Sequence, residues 1–181
     1  MVMGMILQVL EETVTDIGGD GLWDQVTEEA GVSAVYSRFD RYPSSDFLAI
    51  VEAVANTLSV SMDEAMAIGG EKAFPHLFRR WPDGGASYSD AVSLIGDLDL
   101  VIHAEVRTWA PHSDPPTFDI QPKDDGYVVS YTSPRGLVPF CQGLLKGAFT
   151  HFGTSCDVEI MLTEGTTTSF FIRPTDPLRS G

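Results

Sequence analysis

The chain has 181 residues, a formal net charge of −15, 43% apolar and 10% aromatic residues, which describes one folded domain with a real core rather than a disordered chain. Its two cysteines, Cys141 and Cys156, exclude a disulfide framework, and no CxxC or Cys/His cluster suggests a zinc site. No apolar run reaches the length of a membrane span, and an excess of acid repels nucleic acid and anionic membrane.

The first stretch, Met1 to Leu10, is apolar but runs into Glu11 and Glu12 with no basic start or small-residue cleavage site, so it is no signal peptide. A reducing cytoplasm is the expected location. Seven acids and no Lys or Arg precede Arg38. That surface favours solubility, and it would also steer a basic partner.

The predicted elements begin with helices. Ile6, Val9, Leu10, Val14 and Ile17 recur at helical spacing from Met3 to Asp16, and Gly18-Gly19 ends the run. Leu22 to Ala30 reads as a short helix closed by Gly31. Arg38 to Pro43 reads as a loop, and Ser44 or Ser45 is the expected cap of a helix whose stripe is Phe47, Ile50, Val51, Val54 and Leu58. Ser61-Met62-Asp63-Glu64 is a capping box. Gly69-Gly70 is expected to break the helix it opens, and Glu71 to Trp81 to form another, with Pro75 in its first turn or at a kink. Pro82 to Gly85 is a turn.

Ser89 or Asp90 caps a long helix expected to run to about Trp109, with Ala91, Leu94, Ile95, Leu98, Ile102, Val106 and Trp109 on its apolar face. Pro111 stops it, and Pro115-Pro116 enforces an extended connection. The periodicity then changes to two. Thr117 to Gln121 and Tyr127 to Thr132 read as strands, Leu137 to Phe152 as a helix, and Asp157 to Thr163 and Thr167 to Arg173 as a hairpin. The class is α+β: a helical lobe, about residues 1–60, then a sheet-containing subdomain, about 61–174, with an antiparallel four-stranded sheet and a frayed tail over 175–181.

Two features carry chemistry. His103 lies on the long helix in one stripe with Ile95, Asp99 and Val106. Alone, a histidine on a mostly apolar helix face reads as a satisfied core histidine before it reads as a metal ligand. Tyr131-Thr132-Ser133-Pro134-Arg135 places two hydroxyls and a guanidinium on one side of an extended strand. Hydroxyl donors and a planar fork suit one or two carboxylates.

His103, then Pro115-Pro116, then Tyr131-x-Ser133-x-Arg135 together resemble the haem-nitric oxide/oxygen binding (H-NOX) family. It includes the haem domain of soluble guanylate cyclase and stand-alone bacterial sensors. Gly21-Leu22-Trp23, Tyr42-Pro43 and Gln142 to Gly147 with His151-Phe152 extend the resemblance over about Met3 to Arg173.

The resemblance implies a b-type haem between the helical lobe and the sheet, with His103 as proximal iron ligand. Tyr131, Ser133 and Arg135 would hold the propionates, and Pro116 would press on the porphyrin. Oxygen-binding members carry a tyrosine five residues after the motif arginine, where this chain has Phe140. Ile6, Leu10, Phe74, Leu77, Phe78 and Leu144 are candidates for the rest of the haem pocket's apolar wall. His76 lies in sequence near that wall, and its approach to the iron is open. The resemblance thus implies a nitric oxide sensor that also binds carbon monoxide in vitro and disfavours oxygen. Its NO-bound state would weaken the bond to His103 and shift the lobe against the sheet. Its partner would act in trans, typically a histidine kinase or a diguanylate cyclase. Some members hold a structural zinc; here Met161, Leu162 and Ser169 stand where its ligands would fall, and no zinc is expected.

Two readings compete. A haem enzyme with peroxide or NO chemistry wants distal acid–base groups, and an apolar wall argues against it. A non-haem domain of the related vinyl-reductase-like superfamily would bind another apolar ligand, and His103 with the carboxylate-binding cluster argues against that.

Overall fold

The computed structural model describes residues 1–80, 87–103 and 115–175. A short ribbon pairs β1 (Val2–Met3) with β2 (Arg41–Tyr42). Four helices fill the N-terminal part: α1 (Gly4–Gly18), α2 (Asp20–Ala30), α3 (Ser44–Leu58) and α4 (Met62–Phe78). Next come α5 (Ala91–Asp97) and a π-helical turn, Leu98–Ile102. Strands β3 (Thr117–Lys123) and β4 (Gly126–Thr132), helix α6 (Val138–His151), and strands β5 (Cys156–Glu164) and β6 (Thr167–Pro174) complete the fold. The sheet is antiparallel in the order β3-β4-β6-β5, so the class and the four-stranded sheet are as the sequence implied.

Several local expectations are corrected. The Gly69-Gly70 pair does not break a helix, since α4 is continuous and contains Pro75. Packing overrides local propensity there. A Cβ on Gly70 would lie 2.2 Å from the Phe140 carbonyl oxygen, and one on Gly143 would lie 2.1 Å from that of Ala67. Further along the same contact, a Cβ on Gly147 would lie 2.5 Å from the Glu71 carbonyl oxygen. Glycine lets α4 and α6 meet backbone to backbone. The residues expected to be a bare loop at Arg38 to Pro43 contain β2, whose two residues are too few to show a period. Helix α3 starts at Ser44 behind Pro43, without a side-chain cap. Pro122 lies inside β3, an edge strand, where its missing N–H costs no ladder bond. The Ser61–Glu64 capping box and the Asp90 cap, which accepts from Ser93 N at 2.8 Å, are both formed.

The helix carrying His103 is not uniform. It turns from α5 into a π turn, and His103 N donates to the Leu98 carbonyl. Such turns often mark functional positions. The expected run to Trp109 with its stop at Pro111, the Pro82–Gly85 turn, and the tail beyond residue 175 lie outside the described residues.

Two apolar cores result. One joins α1, α2, α3 and the α4 residues Ala65, Met66 and Ala73, with Phe140 packed in from α6. The other joins Phe74 and Phe78 of α4, α5, α6 and the inner sheet face, centred on Val129, Phe170 and Ile172. Helices α4 and α6 contribute to both and tie them together.

Candidate functional site

Between the two cores lies a cavity of about 280 Å³. One water needs roughly 10–15 Å³ on the same measure, so this is no packing defect. Its walls are mostly apolar, with a few polar groups at fixed places, the usual make-up of a small-molecule site.

His103 reaches the cavity from the end of the π turn. Its Nδ1 lies 2.9 Å from Asp99 Oδ1, and Asp99 Oδ2 accepts from the Phe118 backbone N–H at 2.9 Å. The carboxylate therefore bridges helix and sheet and holds the ring. In a neutral imidazole with its proton donated from Nδ1 to Asp99, Nε2 carries the lone pair, the arrangement a metal-binding histidine needs. Phe118 flanks His103 at 6.0 Å between ring centroids.

Tyr131, Ser133 and Arg135 also line the cavity. Tyr131 is in β4, between Phe118 of β3 and Thr168 of β6. Ser133 lies just past the strand, but its N–H still donates to the Thr166 carbonyl at 2.9 Å and keeps it in line. Arg135 is not on the strand, which differs from the sequence reading. It sits in the turn after Pro134, where Gly136 takes a φ of +67°, and its N–H donates to Ser133 Oγ at 3.3 Å. Tyr131 and Ser133 are both buried. Burial pushes the Tyr131 phenol up from its usual range, partly opposed by a hydrogen bond with Ser133 and by the Arg135 charge. The phenol therefore stays a donor at neutral pH. A buried hydroxyl pair beside a guanidinium matches a carboxylate.

Of the proposed apolar residues, Ile6, Phe74, Leu77, Phe140 and Leu144 line the cavity, and so does Pro116 beside Pro115. Leu10 and Phe78 do not. Leu10 faces a second, smaller pocket among α1, α3 and α4, because from α1 only Met5 and Ile6, in its first turn, reach the large cavity. Phe78, at the end of α4, stacks on Phe74 and turns to His151, with ring centroids 4.5 Å apart. His76 is outside the cavity wall. It is buried between α1 and α4 with Nε2 2.8 Å from Asp16 Oδ2. Its Nδ1 is 2.7 Å from both Glu12 Oε2 and Arg79 Nη2. One nitrogen cannot serve both at once: protonated it donates to Glu12, deprotonated it accepts from Arg79.

Sequence reading missed part of the lining. In the sequence Asp99 shares the His103 stripe without declaring a role, although Asp and His four apart on a helix is a contact spacing. Met1 to Met3 and Arg41 enter with the β1–β2 ribbon, which the sequence does not reveal, Met5 enters from the first turn of α1, and Leu94, Ile95 and Leu98 read simply as core.

The family described as Haem-NO-binding matches residues 3–160 of this chain. Among solved structures, an H-NOX protein from S. oneidensis in the Fe(II)NO ligation state is 26% identical with a TM-score of 0.84, over 97% of this chain and 100% of that one. The Fe(II) unliganded H-NOX protein from K. algicida is 24% identical with a TM-score of 0.80, over 99% and 100%. A variant of Tt H-NOX, 18% identical with a TM-score of 0.83 over 99% and 98%, shares the fold. No curated protein sequence matches the chain.

Proposed function

The chain belongs to the haem-NO-binding (H-NOX) family, and from that premise we propose that it is a nitric oxide sensor that holds a b-type haem in the cavity between its two cores. The observation that carries the reading is one cavity faced by both parts of a haem-binding chemistry. His103, oriented by Asp99, offers an imidazole to iron, and Tyr131, Ser133 and Arg135 offer donors to two carboxylates. The haem, when bound, supplies the iron at which the gas docks.

The protein's own residues do the rest. Asp99 fixes the His103 ring and its proton. Tyr131, Ser133 and Arg135 orient the cofactor's acidic edge, and Pro116 supplies a rigid surface. Phe140, Phe74, Leu77 and Ile6 exclude water and offer no O–H. Bound oxygen draws negative charge and is stabilised by a donor, whereas nitric oxide and carbon monoxide need one far less. The ferrous protein is therefore expected to bind NO and CO and to form no stable complex with oxygen in air.

Signalling follows from the two cores. A ligand that favours one arrangement of α1 and α4 against the sheet shifts the population between them, in proportion to its differential affinity. The reader of that shift is a separate protein, a histidine kinase or a diguanylate cyclase. A cytoplasmic setting suits the two free, buried thiols. His103→Gly tests the site: the variant should lose haem and regain it when imidazole is added. Full haem retention by His103→Gly without imidazole would contradict the assignment.

A further inference from the structure

We infer that Arg41, on β2 of the N-terminal ribbon, is a second guanidinium for the haem propionates, supplied from the helical side of the molecule as Arg135 is from the sheet side. This role rests on the haem reading above and deepens it, since it gives the start of α1 its own grip on the cofactor.

The charge pattern points to an acidic ligand. The chain has 26 acidic and 11 basic residues. Yet the described lining of the cavity holds three arginines, Arg41, Arg80 and Arg135, and no Asp or Glu. Chance placement in so acidic a chain would give the reverse. Arg80 is committed within its own cluster, where Nη1 donates to Glu12 Oε2 at 3.1 Å and to the His76 carbonyl at 2.8 Å. Arg135 accompanies the buried hydroxyls of Tyr131 and Ser133. A guanidinium fork matches one carboxylate at a time, and a haem carries two. Arg41 supplies the second fork.

The ribbon aims the side chain. Val2 pairs with Tyr42, and Met3 with Arg41. Successive strand residues point to opposite faces. Tyr42 packs on the helical core, whereas Arg41 and its partner Met3 line the cavity. The base is fixed by the first turn of α1: Gly4 N donates to the Asp40 carbonyl at 2.8 Å, and Met5 N to the Arg38 carbonyl at 3.1 Å. That closeness requires glycine, because a Cβ at Gly4 would lie 1.8 Å from the Ser37 carbonyl oxygen. Arg41 itself is exposed, so it stands at the rim, where a cofactor with a buried apolar body presents its charged edge. Arg41 would thereby tie the start of α1 to the same ligand that Arg135 ties to the turn after β4.

The test compares haem with its dimethyl ester, whose carboxylates are capped. Release of haem to apomyoglobin should be about tenfold faster from Arg41→Gln than from the parent, the size of one charge-assisted hydrogen bond at its weak end. Parent and variant should release the ester haem alike, because no carboxylate is left to lose. Arg41→Lys keeps the charge without the fork and should fall between the two. In resonance Raman spectra Arg41→Gln should shift the propionate bending bands and leave the iron–histidine stretch in place. Equal release of ordinary haem from Arg41→Gln and the parent would overturn the assignment. So would the same acceleration with the ester, which would mean that Arg41 only supports the ribbon. Either result, in a parent with a Soret band, leaves the haem reading standing. A parent that takes up neither haem nor its ester would sink both.

Discussion

Asp99 shows how one side chain decides what a histidine can do. Its two oxygens hold the His103 Nδ1 and the Phe118 N–H at 2.9 Å each, so ring orientation, tautomer and the β3 register are set together. Replacing such a partner usually costs about 10–100-fold in metal affinity. Asp99→Asn should therefore weaken haem retention by that order in competition with apomyoglobin, and shift the iron–histidine stretch in resonance Raman spectra. An unchanged stretch would show that Asp99 only braces the sheet. At this scale the sequence was informative in combination. His103 alone was ambiguous, and Tyr131, Ser133 and Arg135 gave it meaning. The role of Asp99 was hidden, because nothing in the sequence says which side chain turns to the ring. Nor did the strand period foretell that Arg135 leaves the strand and reaches the cavity from the turn at Gly136.

Among the elements, α4 and α6 carry the sharpest contrast. Gly69 and Gly70 are adjacent and identical, and local propensity reads them as one helix breaker. The structure separates them. Gly70 is pressed on the α6 backbone, as Gly143 is pressed on α4, and Gly69 faces open space. Gly69→Ala should stabilise the fold by about 1 kcal/mol through helix propensity. Gly143→Ala should destabilise it by about 1–3 kcal/mol, because the clash with the Ala67 carbonyl exceeds that gain. Urea denaturation of the two variants reads the sign directly, and equal shifts would contradict the close packing. Amphipathic stripes, the capping box and the strand alternation were legible because they are local. The β1–β2 ribbon, the π turn before His103 and the unbroken α4 were not, because long-range pairing or packing decides each of them.

Across the whole molecule, a charged cluster pins α1 to α4. Glu12 pairs with Arg80, whose Nη1 donates at 3.1 Å, and shares His76 with Asp16. Arg80 reaches the cavity wall as well, so the cluster lies on the path by which α1 and α4 would report on the haem. The hydrogen bond from Arg80 holds the Glu12 carboxyl below its usual value of 4.5, against some opposition from burial. A carboxyl depressed in the folded state contributes stability above its unfolded value and loses it as pH falls through the folded one. Glu12→Gln should therefore lower the melting temperature at neutral pH, with the gap to the parent closing as acid protonates the depressed carboxyl. The effect is modest, because the Glu12 side chain is 40% exposed. A gap that persists at low pH would point to packing instead of charge.

Every role proposed for this protein depends on a haem held in the cavity between the two cores. The absorption spectrum of the purified ferrous protein, taken alone and then with CO, NO and air, tests this most directly. A Soret band should move with CO and with NO, and air should give no stable oxygen complex. A protein with no Soret band after reconstitution with haem would contradict the central claim, and a stable oxygen complex would contradict the role given to Phe140.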